Sequence, residues 1–141
     1  MTYLARAQRR LRDSRDLGAV LDAAYEAFEA ILIAIRAHED PGSVFFSRFT
    51  MAAALAADGR DAVAFAPSIP PPVSRGMVDE EVPERATPER IARLVSDLSQ
   101  LARTQLNQSA GQATDPADQD ACDRAASCTA GIHDLLARGG P

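Results

Sequence analysis

Residues 16–35 read DLGAVLDAAYEAFEAILIAI, and this stretch decides the fold class. Leu17, Val20, Leu21, Ala24, Phe28, Ile31, Leu32 and Ile35 recur at steps of three and four, the spacing that gathers side chains on one face of an α-helix. Asp16 precedes them as an N-cap, its carboxylate available to the free amides of the first turn. Tyr25 and Ile33 widen the apolar stripe, so the helix is expected to pack on more than one side and to lie centrally in a bundle. Asp22, Glu26 and Glu29 fall outside that stripe.

Toward the C-terminus, Asp40, Pro41 and Gly42 compose a turn that stops this helix near His38. Ser43 is placed to cap a third helix through Val44, Phe45, Phe46, Phe49, Met51, Leu55 and Ala56, with Asp58 and Gly59 as its expected end. Residues 62–66 read as one more helical turn. Pro67, Pro70, Pro71, Pro72 and Pro83, with the acids Asp79, Glu80 and Glu81, exclude a regular helix across residues 67–86. A connection of that length is either a crossover strapped over the bundle or a mobile segment. Thr87, Pro88 and Glu89 open a fourth helix, because a proline in the first turn lacks only an N–H that has no helical partner there. Ile91, Leu94, Val95, Leu98, Leu101, Ala102 and Leu106 form its stripe, and Gly111 is its expected stop. Asp115 and Pro116 repeat the opening signal for a fifth helix. That one turns Ala121, Ala125, Cys128, Ile132, Leu135 and Leu136 inward and ends at Gly139 and Gly140.

Toward the N-terminus, residues 2–14 read as a short basic helix with a narrow apolar stripe of Tyr3, Leu4, Ala7 and Leu11. No strand alternation and no internal repeat is present. The expected fold is all-α: a four-helix-type bundle with an additional short basic N-terminal helix and a long Pro-rich crossover. The 141 residues make one domain, divided into the basic helix 1–15, helices two and three at 16–66, the connection 67–86, and helices four and five at 87–141.

Composition narrows the function classes. All 15 basic residues are Arg, which reads most simply as the codon bias expected of a GC-rich bacterium rather than as a signature of phosphate recognition. The longest uncharged stretch, from Ala62 up to Arg75, holds four prolines, so no transmembrane segment is expected. The N-terminus lacks the apolar core of a secretory signal, and a cytoplasmic location is expected. Cys122 and Cys128, six residues apart, point to different sides of a helix and cannot easily bond to each other.

Candidate chemistry is sparse. His38 beside Glu39 and Asp40, and His133 beside Asp134, read as capping or surface residues. No acid stands three residues before either His, which excludes the Glu-x-x-His pairs of a di-metal bundle, and the Cys spacing does not suit zinc. Asp118, Asp120 and Asp123 surround the cysteines with negative charge, which argues against a thiolate nucleophile. The chain carries no nucleophile elbow, phosphate loop or His-Glu-x-x-His, and no Arg-x4–6-His pair of the kind small helical nucleases use. No catalytic residue, metal or cofactor is expected.

The main anomaly is charge placement. Residues 1–15 carry five Arg and one Asp, a sum of +4, so the remainder must carry −9 to reach the total of −5. The basic helix is expected either to pack on the acidic body of its own or a sister chain, or to bind a partner through Arg6, Arg9, Arg10 and Arg12. Nucleic acid or an anionic membrane surface is disfavoured because the acidic body is repelled by phosphate. A non-catalytic protein acting through protein–protein contacts, regulatory or scaffolding and homodimeric, is therefore the expected function. The alternative is a small-molecule pocket between helices two and three, possibly of an accessory enzyme, lined by Tyr25, Phe28, Phe45, Arg48, Phe49 and Met51 under the Pro-rich strap.

Overall fold

The computed structural model describes residues 2–71 and 85–137. It contains five helices: α1 (Tyr3–Asp13), α2 (Leu17–Arg36), α3 (Phe46–Ala64), α4 (Pro88–Gln112) and α5 (Pro116–Leu136), and no strand among the described residues. Four helices form a ring in which α2 packs on α3, α3 on α5, α5 on α4, and α4 back on α2. The fifth, α1, lies in the groove between α2 and α4.

Three of the expected caps are realised. Asp16 accepts from the Ala19 amide at 2.9 Å, Thr87 Oγ1 from the Arg90 amide at 3.2 Å, and Asp115 from the Ala117 amide at 2.8 Å. α2 is the central helix, with Leu21, Ala23, Ala24, Phe28, Ile31, Leu32 and Ile35 all closed to solvent. Its wide apolar surface is shared out among α1, α3 and α4.

α3 departs from expectation at both ends. Ser43 is not its N-cap: the cap position is Phe45, and Ser43 Oγ instead accepts from the Phe45 amide at 3.1 Å inside the preceding turn. Gly59 does not end the helix, which runs on to Ala64 and absorbs most of the turn expected at 62–66. The reason is packing rather than backbone freedom. A Cβ at Gly59 would lie 2.4 Å from Phe28 Cζ, so the missing side chain is the slot that admits the Phe28 ring. Gly131 does the same between α5 and α3, where a Cβ would come within 2.8 Å of Leu55 Cδ1.

Smaller corrections follow elsewhere. α4 ends at Gln112 with Ala113 as cap, and Gly111 sits within its last turn. Cys122, not Cys128, is the cysteine buried in the α5 core, and Cys128 is only half-buried. Residues 67–71 and 85–87 are non-helical as expected, whereas residues 72–84 of the Pro-rich connection and the Gly139 and Gly140 stop lie outside the described residues.

Polar side chains fasten the parts that apolar packing leaves loose. Ser68 donates through its amide and hydroxyl to the buried Asp118 carboxylate, at 3.0 and 2.6 Å, which pins the start of the connection to the first turn of α5. His38 is placed with Nδ1 2.8 Å from the Ala34 carbonyl and Nε2 2.9 Å from that of Ala86, tying the end of α2 to the residue that leads into α4. Its expected capping role at the α2 C-terminus is thus realised.

Candidate interaction surface

The arginines of α1 divide into two sets. Leu4, Ala7 and Leu11 face the body and are buried, which sets the rotation of the helix. One turn to the side, Arg10 Nη2 donates to Asp22 Oδ2 at 2.7 Å and Nη1 lies 2.7 Å from Glu26 Oε2, while Arg6 stands 3.5 Å from Glu26. Asp22 is only 3% exposed, so Asp22 and Glu26 are covered by α1, whereas Glu29 faces Arg60 of α3 at 3.5 Å. Burial opposes the Arg10 charge, but the hydrogen bonds and charges of Asp22 and Glu26 outweigh it and hold the guanidinium above its ordinary pKa.

Arg9 and Arg12 point outward and are exposed. With Ala5, Gln8 and Asp13 they line an open hollow on the outer surface of α1. Arg15 folds back to donate to the Arg12 carbonyl at 2.7 Å. Of the four arginines expected to bind a partner, Arg6 and Arg10 thus serve the fold, and Arg9 and Arg12 are presented to solvent.

The aromatic residues of the alternative pocket are packed against protein. Phe45 and Phe49 stack with centroids 5.5 Å apart, and the Arg48 guanidinium lies 4.5 Å above the Phe45 ring. Phe28 is buried in the slot over Gly59, and Tyr25 is partly buried against the core. Met51, by contrast, is 56% exposed and does not join them. A hollow of about 70 Å³ lies elsewhere, between α1 and α4, bordered by Leu4, Gln8, Leu94 and Leu98. That volume holds a few waters rather than a metabolite.

The outer face of α3 and its flanks carry exposed apolar side chains. The exposed large hydrophobic side chains among the described residues are Val44 at 59%, Phe46, Met51 and Phe65 at 86%, and all four belong to α3 or its immediate flanks. Between Val44 and Ala57 the only charged residue is Arg48, which leans on Phe45. An apolar periodicity does not reveal this, since α3 is rich in alanine on every side and its inward and outward faces look alike in sequence.

Ser96 Oγ lies 2.9 Å from His133 Nδ1, a pairing across 37 residues that no local motif signals. Ser96 is buried, so the contact ties α4 to α5 away from solvent. Burial, then the charges of Asp118 and Asp123, push the Cys122 thiol up to about 11. Burial and Asp58 also raise that of Cys128, against the opposing pull of Arg124. Both are therefore protonated near neutral pH. Among the described residues no three His, Cys, Asp or Glu side chains converge on a point where a metal could sit, and no helix is long and apolar enough to cross a membrane. Comparison with family models, characterised proteins and solved structures finds no match to this chain, so its reading rests on its own residues.

Proposed function

We propose that this chain is a small helical cytoplasmic protein with no catalytic role of its own, which regulates or scaffolds by binding another protein through the outer face of α3. The observation that carries this reading is that the exposed large hydrophobic side chains among the described residues, Val44, Phe46, Met51 and Phe65, all belong to α3 or its immediate flanks. Scattered exposed hydrophobics are ordinary, but a cluster on one helix is what a contact surface requires. Arg9 and Arg12 on α1 supply a second, polar surface suited to an acidic partner.

A photo-crosslinking amino acid placed at Met51 or Phe65 in living cells tests the reading, with Asp120 on the exposed side of α5 as control. Discrete adducts at the two α3 positions, absent at the control, are expected. Failure of both α3 positions to form any adduct overturns it.

A further inference from the structure

We propose that the occupant of the α3 face is a cationic amphipathic helix of another protein, laid along α3 with a Lys or Arg against Asp58. This rests on the contact reading above and names the chemistry of the partner.

Spacing points to a helix. Met51, Asp58 and Phe65 stand at intervals of seven residues, and all three are exposed. Two heptads bring them onto one line along α3, about 21 Å long. Val44 stands seven residues before Met51, in the turn that leads into the helix. A seven-residue repeat on one helix is the pattern a second helix reads, since each side chain of the line enters a gap between side chains of the partner. Leu55, one turn from both Met51 and Asp58, borders the line and rests on Gly131 of α5.

Charge sets the sign of that helix. Among the described residues no cation pairs with Asp58, and Asp61 shares Arg60 with Glu29, at 3.6 and 3.5 Å. Residues 37–71 and 113–137, the α3 and α5 side, carry nine acids against three Arg, a sum of −6. Residues 2–15 and 85–112, the α1 and α4 side, carry nine Arg against three acids, a sum of +6. The exposed apolar line therefore lies on the negative side of the molecule, which draws in a basic ligand and repels phosphate-bearing surfaces. A second copy does not meet that need. Turned face to face it brings another Asp58, and its exposed Arg9 and Arg12 belong to α1, whose apolar stripe is already buried on its own chain.

Selection from a displayed library of single-helix peptides, apolar at heptad spacing and randomised at the flanking positions, tests this with the full chain as bait. Lys or Arg should dominate at one central position, and selection on Asp58→Lys should move that position to Asp or Glu. In fluorescence anisotropy, the peptide selected on the wild type should lose about tenfold or more in affinity for Asp58→Lys. Met51→Glu should weaken it to a similar degree. Asp97→Lys, at an exposed acid of α4, should leave it unchanged, and all three variants should keep their helix content because each site is exposed. No enrichment over a blank support, enrichment without a basic preference, or an Asp58→Lys chain that selects the same basic peptides overturns the proposal. If selection fails in one of these ways while Met51 still forms a discrete adduct in cells, the contact reading stands and the cationic helix falls. An adduct of twice the 15.0 kDa chain mass overturns it in favour of a second copy.

Discussion

Ser99 on α4 is fully buried, and its hydroxyl finds no hydrogen-bond partner. A buried donor without a partner costs the desolvation it never recovers, typically 1–3 kcal/mol. Ser99→Ala should therefore stabilise the protein by about 1 kcal/mol, read as a rise in Tm of a few degrees. Gly59 carries the opposite sign. Alanine is favoured over glycine inside a helix by about 1 kcal/mol. Here the new methyl group would collide with the Phe28 ring, whose nearest atom would be 2.4 Å away. Gly59→Ala should destabilise on balance, by roughly 1–3 kcal/mol in denaturant titration. Cys122 gives a pH-dependent prediction. Its folded thiol is raised to about 11, so the native state keeps a proton that the unfolded chain releases above its ordinary value near 9. The stabilisation is complete below about pH 8.5 and is lost as pH rises toward 11. Thermal melts across that window should fall more steeply for the wild type than for Cys122→Ala.

Whether an element was legible in the sequence depends on where its determinants lie. The caps at Asp16, Thr87 and Asp115 and the stripes of α2 and α4 were readable because cap and stripe act within a few residues of themselves. The length of α3 was not, since Gly59 answers to Phe28 on another helix and looks in sequence like a stop. The burial of Asp22 was hidden for the same reason, its partner Arg10 belonging to α1. Of the two readings given for the arginines of α1, packing on the acidic body of the chain describes Arg6 and Arg10, while Arg9 and Arg12 are exposed. The two kinds separate in experiment. Arg10→Ala removes the 2.7 Å ion pair from the buried Asp22 and should cost about 1–3 kcal/mol of stability. Arg9→Ala with Arg12→Ala should leave the urea midpoint unchanged within about 0.5 kcal/mol.

At the scale of the whole molecule, α1 neutralises as well as covers. Removing residues 1–15 takes away +4 and leaves −9 on the remainder, while uncovering Asp22 and the groove that received Leu4 and Leu11. The truncated chain should keep its helical circular dichroism but melt well below the full-length protein and bind a hydrophobic dye, the two leucines alone contributing roughly 2 kcal/mol each. One tether also sets an order in time. Gln105 of α4 donates its side-chain amide to the Leu11 carbonyl at 2.6 Å, across 94 residues of chain. On a ribosome adding about 5–20 residues each second, the first helix is made roughly 5 to 20 s before the residue that fastens its end to α4 exists. Through that interval α1 has α2 alone to rest on, through its apolar stripe and the pairing of Arg10 with Asp22 and Glu26, all of which follow closely in synthesis. The share of its packing that α2 supplies is therefore complete in sequence before α4 is made.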